Sequence, residues 1–470
     1  MPQQNGGLAL GSNLRDALLG AGMSGHEAER KQALFEKACA PVLGLSHIAE
    51  DSVFCAWVPG RIEFLGKHTD YAGGRSLLCA AERGICVAAT QQRDDVLRVR
   101  DAVSGEKCEF SLDEGASLET PLPGGLAAYV RAVAVRARRN FGPPLRGADI
   151  VIASDLPQAA GMSSSSALVV GIFLALARVN NLESRGEYRR AIRSREQLAE
   201  YLGTIENGQS FGELEGERGV GTFGGSEDHT AILCASAVTL MQYAFCPVRL
   251  ERSVPFPKDH VLMVAMSGVA AEKTGGARDR YNRLSTMVRE ILEQWQSVTA
   301  EQHPSLAAAV GSAPDAAERI RRMLRVDETG RLARFEHFLL ESNTFIPAAV
   351  DALAHDDLER LGTIVDRSQQ AAEELLGNQI PETAFLARSA RELGAVAASA
   401  FGAGFGGSVW ALVAEAGAAV FEERWREGYA SRFPLAEQKA EILVTRPGPG
   451  VVEVPSRAED RQSKLGALSY

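Results

Sequence analysis

The feature that most constrains the fold is a series of short apolar runs, separated by turn signals, between Val53 and Phe110. Runs of strand length stand at Ile85 to Thr90, Val96 to Val99 and Cys108 to Phe110. The pattern therefore predicts antiparallel strands rather than repeated βαβ units.

Helices are predicted after this region and through most of the second half. Apolar periodicity indicates a helix at Leu126 to Phe141, which is followed by a short strand at Ala148 to Ser154. Beyond Ala237 we predict helices rich in Arg and Glu at Ala277 to Gln296, Ala313 to Leu324, Leu332 to Leu340 and Ala348 to Gln370. Helices mixed with mostly antiparallel strands place the chain in the α+β class.

The predicted organisation is two domains flanked by less regular ends. Residues 1–25 are rich in glycine and weakly patterned, so we expect a flexible N-terminal arm there, and we expect a solvated tail at residues 456–470. The first domain is placed at residues 26–236 and the second at residues 237–455. A chain of 470 residues is long enough to give each domain its own core.

Charge and cysteine content narrow the class of partner. Lys plus Arg total 50 and Asp plus Glu total 60, which gives a net charge of -10. This balance disfavours a broad surface for nucleic acid or an anionic membrane, so we expect a small-molecule partner, while the oligomeric state stays open. The seven cysteines form no CxxC pair and predict reduced thiols in a cytoplasmic protein. The N-terminus lacks the pattern of a secretory signal.

The segment PGRIEFLGKHTDYAGG, Pro59 to Gly74, places polar groups directly after a strand-like run. Asp70 can accept hydrogen bonds from two hydroxyls, His68 can donate or accept, and Arg61 carries a permanent charge. Such groups at a strand end suit a polyhydroxylated small molecule. The alternative interpretation is an ordinary polar turn.

A serine run within LPQAAGMSSSSALVVG, Leu156 to Gly171, is the strongest candidate for phosphate binding. Gly161 permits an unusual backbone angle, the serines offer amide and hydroxyl donors, and an apolar helix follows. The alternative is that Ser163 or Ser164 only caps this helix. Four consecutive serines exceed what a cap requires.

Two further segments are ambiguous by themselves. The turn FGAGFGGSVWALV, Phe401 to Val413, either lets backbone approach a ligand or simply reverses the chain. Asp228 precedes a predicted helix, where it would act as a cap, and Glu206 would be a charge at a helix end.

These segments occur in an order that resembles the GHMP small-molecule kinases, specifically the galactokinase-like sugar kinases, from about Leu34 to Val454. PGRIEFLGKHTDYAGG looks like the galactokinase signature, SDLPQAAGMSSSSAL like the ATP loop of the family, and GAGFGGSVWALV like its third motif. The resemblance implies a two-domain GHMP kinase fold with mixed or antiparallel sheets and the active site between the domains. It also implies ATP-dependent phosphorylation of a monosaccharide, which would be galactose or a related sugar or sugar acid, at the anomeric hydroxyl.

The resemblance also implies roles for individual residues. Asp228 would accept the proton of the sugar hydroxyl, and Arg61 would hold Asp228 ionised. Ser165 and Glu206 would bind Mg²⁺ through oxygen. The ATP phosphates would be wrapped by a loop of Gly161, Met162, Ser163, Ser164 and Ser165. The sugar would contact Lys67, His68, Asp70, Gly225 and Tyr281, with Gly404 and Gly406 shaping the adjoining wall.

The chain departs from the galactokinase pattern at Lys67, where glutamate is usual, and around Asp228, where Ser226, Glu227 and His229 replace other residues. One hypothesis is that Lys67 binds a carboxylate on the sugar. The alternative is that Lys67 pairs with Glu227 or Asp70 and the substrate is still galactose.

The alternative function, which is not enzymatic, is that of a catalytically silent sugar sensor, because some relatives of galactokinase are regulatory proteins. The serine loop looks complete, which favours the enzyme.

Overall fold

The computed structural model describes residues 13–44, 52–113, 124–157, 161–270, 276–325 and 329–454. The predicted tail at residues 456–470 and the first part of the predicted arm lie outside these ranges. Residues 13–20 form a helix rather than a loose arm, with Leu14 and Leu18 fully buried.

The strands form two sheets. Their bounds are β1 Phe54–Leu65, β2 Arg75–Gln91, β3 Val96–Asp101, β4 Lys107–Ser111, β5 Ala148–Ser154, β6 Thr239–Ala244, β7 Arg249–Pro255, β8 His260–Met266, β9 Ala397–Phe401, β10 Ser408–Ala414, β11 Glu441–Thr445, β12 Pro447–Gly448 and β13 Val452–Glu453.

Most of the first sheet is antiparallel, as predicted. Its order is β13-β1-β2-β5-β3-β4, with β12 and the β6–β7 hairpin also joined to β2, and only the β3–β5 pair is parallel within the described residues. The second sheet is antiparallel throughout, in the order β11-β8-β10-β9. Since β6 and β7 join the first sheet, the predicted domain boundary after residue 236 does not separate the two sheets.

Strand β1 runs through the predicted break at Pro59 and Gly60. The pairing with β2 shifts register between Pro59 and Arg61, and the amide of Arg61 donates to the carbonyl of Met162 at 3.2 Å instead of to a strand. Proline cannot donate to the ladder, and a bulge of this kind re-aims the next side chain. The bulge therefore sets the direction in which the side chain of Arg61 points.

The helices have the following bounds: α1 residues 13–20, α2 Gly25–Leu43, α3 Leu126–Phe141, α4 Ser164–Val179, α5 Gly186–Ala191, α6 Arg195–Asn207, α7 Glu227–Cys234, α8 Gly276–Thr299, α9 Leu306–Gly311, α10 Ala316–Leu324, α11 Arg331–Leu340, α12 Ile346–Ala354, α13 Leu358–Ala371, α14 Pro381–Glu392, α15 Ala418–Arg432 and α16 Pro434–Glu437. None in the described ranges is long and apolar enough to cross a membrane.

Alternating residues of β1 face two different cores. Trp57 packs with Phe35 of α2 on one side of the first sheet. Ala56 and Val58 face the other side, where they join the apolar residues of α3 and α4. This period of two is the expected consequence of the strand pleat, and it leaves both faces of the sheet covered.

The two halves of the chain are joined by direct packing. Phe64 of β1 stacks on Trp410 of β10, with ring centroids 4.1 Å apart and an interplanar angle of 18°. A separate apolar cluster, which includes Trp295 and Phe335, holds α8 to α11 together. The end of β1 is therefore fixed at the junction between the sheets, next to the polar segment that follows it.

Candidate active site

A pocket lies where the first sheet meets the second half of the chain. Its walls come from β1, the turn Asp70–Ala72, helices α4, α6, α7 and α8, and the turn after β9. The lining residues are Arg61, Glu63, His68, Asp70, Ser166, Glu206, Thr222, Gly224, Gly225, Glu227, Asp228, His229, Tyr281, Gly402 and Ala403.

A buried arginine, Arg61, forms an ion pair with the half-buried Asp228 in this pocket. Nε of Arg61 donates to Oδ1 of Asp228 at 2.7 Å, and Nη1 donates to the carbonyl oxygen of Gly161 at 2.5 Å. Burial disfavours the guanidinium charge, but neighbouring carboxylates, Asp228 above all, outweigh it and raise the pKa of Arg61. The arginine is a permanent cation with set partners, and it fixes the orientation of the Asp228 carboxylate.

The serine run meets the pocket at the start of α4. Gly161 and Ser163 have φ angles of 70° and 59°, so the loop turns sharply just before the helix. Ser163 stands at the N-cap but its side chain makes no capping hydrogen bond, and its buried Oγ has no partner within the described residues. The capping alternative therefore does not account for Ser163, whose hydroxyl is left for a ligand.

Ser166, the last serine of the run, reaches the carboxylates. Its Oγ donates to Oε1 of Glu206 at 2.6 Å and lies 3.3 Å from Oδ2 of Asp228. The predicted metal ligand Ser165 is half-buried in the first turn of α4, beside Ser164. The hydroxyl in contact with Glu206 is that of Ser166, which the sequence prediction did not include.

The oxygen donors at this corner fit Mg²⁺. A serine hydroxyl lies between the carboxylates of Glu206 and Asp228, and such hard oxygen ligands suit the ion. The described residues contain no group of three or more His, Cys, Asp or Glu side chains that would hold a metal alone. Mg²⁺ in such sites takes its remaining ligands from substrate phosphates and water.

The long loop between α6 and α7 folds back on the end of α6. The amides of Val220 and Gly221 donate to the carbonyl oxygen of Glu206 at 2.9 and 3.1 Å. Asn282 of α8 accepts from the amide of Phe223 at 2.9 Å and donates to the carbonyl of Gly221 at 3.1 Å. These bonds tie the loop to both halves of the chain and fix Glu206 at the pocket.

His68 and Tyr281 form one wall of the pocket. The ring nitrogens of His68 lie 2.8 Å from the hydroxyl of Tyr71 and 3.0 Å from the carbonyl oxygen of Ala403. The rings of His68 and Tyr281 lie 5.1 Å apart between centroids. Residues from both halves of the chain are thus brought into one surface.

Asp70 lies on the same wall, against the backbone of Gly225. Burial raises the pKa of the Asp70 carboxyl, although the amides of Tyr71 and Glu227 donate to it. A Cβ on Gly225 would lie 2.5 Å from Oδ2 of Asp70, and one on Gly224 would lie 2.7 Å from the hydroxyl of Tyr281. Both glycines are therefore required for this close approach.

Lys67 does not line the pocket, which is at odds with its predicted contact to the substrate. Its side chain is fully buried and Nζ donates to Oγ of Ser399 on β9 at 2.8 Å. The ion pair of the alternative prediction, from Lys67 to Glu227 or Asp70, is also not formed in the described part of the chain, where Nζ donates to Ser399. The lysine points behind the wall, toward the second sheet.

Glu63 lines the pocket instead and was missed by the sequence analysis. It follows Arg61 by two residues on β1, so both side chains face the same side of the sheet. Glu63 is 3% exposed, and burial raises its pKa to about 7 against the opposing charges of Arg61 and Lys67. The strand period was the signal that could have found it.

The third motif contributes only its first residues to the pocket surface. Gly402 and Ala403 line it, next to Arg61. Added Cβ atoms on Gly404 and Gly406 would lie 2.4 Å from the carbonyl oxygen of Asn378 and 2.7 Å from that of Val269. These two glycines allow tight backbone packing behind the wall.

Three family models match the chain. They are the GHMP kinases N terminal domain at residues 128–216, the galactokinase galactose-binding signature at 46–91 and the GHMP kinases C terminal at 349–431. A galactokinase from Roseiflexus sp. (strain RS-1) is 28% identical over 408 residues, which are 86% of this chain and 94% of that protein. A galactokinase from Pyrococcus furiosus is 26% identical over 84% of this chain and 97% of that protein.

The fold is shared with a solved structure of this family. Lactococcus lactis galactokinase complexed with galactose superposes with a TM-score of 0.72 at 24% identity, covering 90% of this chain and 99% of that chain. The predicted α+β fold with two GHMP kinase domains is confirmed. By its N- and C-terminal models, its galactose-binding signature and its homologues, the chain belongs to the GHMP kinases as a galactokinase-like member.

Proposed function

We propose that this protein is a sugar kinase that transfers the terminal phosphoryl group of ATP to a hydroxyl of a monosaccharide, galactose or a related sugar. The observation that carries this proposal is the Asp228 carboxylate, held 2.7 Å from Nε of Arg61 in a pocket walled by the galactose-binding signature. The curated relatives named galactokinase and the galactose complex of the Lactococcus lactis enzyme support this substrate class. The anomeric hydroxyl is the proposed acceptor.

In this proposal Asp228 accepts the proton of the attacking hydroxyl. Its Oδ1 is occupied by Arg61, whereas Oδ2 lies on the side of Ser166. Arg61 keeps the carboxylate ionised and places a fixed positive charge beside the reacting groups. Phosphoryl transfer depends mainly on positioning and charge neutralisation, so this small set of residues is sufficient.

The serine loop would bind the phosphates of ATP. Amides at the start of α4 and the unpartnered hydroxyl of Ser163 offer donors at the positive end of a helix. Glu206 with Ser165 or Ser166 would hold Mg²⁺, which would neutralise phosphate charge. His68, Asp70, Gly225 and Tyr281 would orient the sugar.

No observation favours the sensor alternative. The pocket contains the Asp228 carboxylate with its paired arginine, and the serine run reaches it through Ser166, an arrangement that a protein that only binds sugar does not require. We also propose a cytoplasmic location, which the seven free cysteines support. Cell fractionation would test this, and recovery in a secreted fraction would contradict it.

A panel of aldoses assayed for ATP consumption tests the proposal. We expect Asp228→Asn to lower kcat by about 100-fold or more, the usual contribution of a general base, without loss of the folded state in circular dichroism. Asp356→Asn is the matched control, because Asp356 is exposed on a turn far along the chain and its φ of 55° suits asparagine. Unchanged turnover in Asp228→Asn would reject Asp228 as the base, and sugar binding without turnover in the unmodified protein would favour the sensor.

A further inference from the structure

A pair of buried carboxyl groups, Glu63 and Glu227, lies side by side in the pocket. Glu63 is 3% exposed and Glu227 is 5% exposed, and both line the pocket surface. Oε2 of Glu227 accepts from Oγ of Ser76 at 2.7 Å. Oε1 of Glu63 is buried without a hydrogen-bond partner among the described residues. A buried carboxylate oxygen with no donor is costly, so this atom marks a place where a ligand donor belongs.

Burial disfavours the charged form of both carboxyl groups. Burial raises the pKa of Glu63 to about 7, and burial together with the charge of Glu63 raises the pKa of Glu227 well above its usual range. A hydrogen bond joins the two carboxyl groups, so they titrate as a pair. A cation that binds at Oε1 of Glu63 would favour the ionised form.

The cationic side chains near the pair are directed elsewhere. Arg61 donates to Asp228 and to the carbonyl of Gly161, and its Nε lies 3.8 Å from Oε1 of Glu227. Lys67 donates to Ser399 behind the wall. Neither supplies a hydrogen bond to Oε1 of Glu63, so the charge of an ionised Glu63 is only partly balanced by the described residues.

The rest of the pocket is also acidic. Asp70, Glu206 and Asp228 line it together with the carboxyl pair, and Arg61 is the only lysine or arginine among the lining residues of the described pocket. Mg²⁺ would balance the charge near Glu206, but not that of Glu63. Such a field disfavours a sugar that carries a carboxylate, contrary to our hypothesis for Lys67.

We propose that Glu63, supported by Glu227, binds an ammonium group on the sugar, so that the preferred substrate is an amino sugar with a free amine. The inference rests on the proposed sugar kinase function. An ammonium has three donors and a charge, whereas a hydroxyl offers one donor and no charge. An N-acetylated amine keeps the nitrogen but loses the charge, which makes it the most informative comparison.

The experiment compares galactosamine, galactose, N-acetylgalactosamine and galacturonic acid as substrates with MgATP. We expect kcat/KM for galactosamine to exceed that for galactose by about tenfold, the gain from a hydrogen bond to a charged group, and galacturonic acid to be poorest. In Glu63→Gln the preference for galactosamine over galactose should disappear. Glu427→Gln, an exposed change on α15, is the matched control.

Binding of the same sugars is measured in parallel by calorimetry, with a non-hydrolysable ATP analogue present. If no sugar is phosphorylated, the proposed function fails, yet tighter binding of galactosamine that Glu63→Gln removes would still support the inference. Equal or weaker use and binding of galactosamine, or a preference that Glu63→Gln leaves unchanged, would overturn it. If Glu63→Gln does not fold, Glu227→Gln tests the same pair, and an unchanged preference there would count against the proposal.

Discussion

Nζ of Lys67 lies 2.8 Å from Oγ of Ser399, whose hydroxyl in turn donates to Oε1 of Gln369 at 3.1 Å. This chain of hydrogen bonds connects the end of β1 with β9 and α13. A lysine two residues beyond the end of a pocket-lining strand is thus part of the junction between the sheets. The lysine charge acts on the pocket residue Glu63 only by a through-space electrostatic interaction, because the ammonium makes no contact in the pocket.

The first prediction concerns Lys67→Met. We expect the ratio of kcat/KM for galacturonic acid to that for galactose to change by less than about fivefold, which corresponds to about 1 kcal/mol, because the ammonium does not contact the pocket. Steady-state kinetics with both sugars measures this ratio. A selective loss of activity on galacturonic acid would restore Lys67 as a substrate ligand.

The second prediction concerns the pH dependence of stability through Glu63. Its pKa of about 7 in the folded protein lies above the ordinary value of 4.5, so the folded state binds more protons between these values. Stability contributed by this group is therefore present at low pH and is lost as pH rises toward 7 and above. The groups that face Glu63 are Arg61, Lys67, Glu227 and Glu341.

Glu63→Gln removes this titration. We expect the Tm of the variant, relative to the unmodified protein, to be higher at about pH 8 than at about pH 5. Thermal unfolding at both pH values measures the difference, with Glu427→Gln as the control. A difference of equal size at both pH values would show that Glu63 has no raised pKa.

Long apolar strands were predictable, whereas β7 and β9 were not. Ala148–Ser154 was predicted with the bounds it has, because the run is apolar and bounded by turns. β7, Arg249–Pro255, is charged and mostly exposed at the edge of its sheet, so it carries no apolar signal. β9, Ala397–Phe401, is short and rich in alanine, and its identity as a strand depends on its pairing with β10.

The positions of helix ends depend on side-chain contacts that the spacing of apolar residues does not predict. The predicted helix at Ala348 to Gln370 is two helices, because Oδ1 of Asp357 accepts from the amide of Arg360 and starts the second one. An aspartate at this position was the available signal.

The site was predictable where it depends on motif order, and less so where it depends on turn geometry. The order of motifs pointed to Arg61 and Asp228, which do form an ion pair. The direction of Lys67 is set by Gly66 and His68, whose φ angles of 128° and 59° turn the chain just after the strand. Those angles follow from packing across the sheet junction, so the sequence alone does not specify which side the lysine takes.

The third prediction concerns Ser166→Ala. The change removes a hydroxyl that lies 2.6 Å from Oε1 of Glu206, so the carboxylate loses a group that orients it. Loss of such an orienting contact usually lowers metal affinity by about 10- to 100-fold. Titration of the activity with Mg²⁺ at fixed ATP measures this effect, and Ser297→Ala, an exposed change on α8, is the control. An unaltered Mg²⁺ requirement would separate Ser166 from the metal site.

The fourth prediction concerns Gly225→Ala. The new Cβ would lie 2.5 Å from Oδ2 of Asp70, a distance that forces the carboxylate or the backbone to move. Because Asp70 lies on the proposed sugar wall and Gly225 is close to Asp228, we expect KM for the sugar to rise by about tenfold or more, with a smaller loss of kcat.

Gly428→Ala is the matched control, since nothing lies within 4 Å of its added Cβ and alanine is the better helix former at this position in α15. Steady-state kinetics with varied sugar separates KM from kcat. An unchanged KM for the sugar in folded Gly225→Ala protein would place the sugar away from Asp70 and contradict the proposed wall.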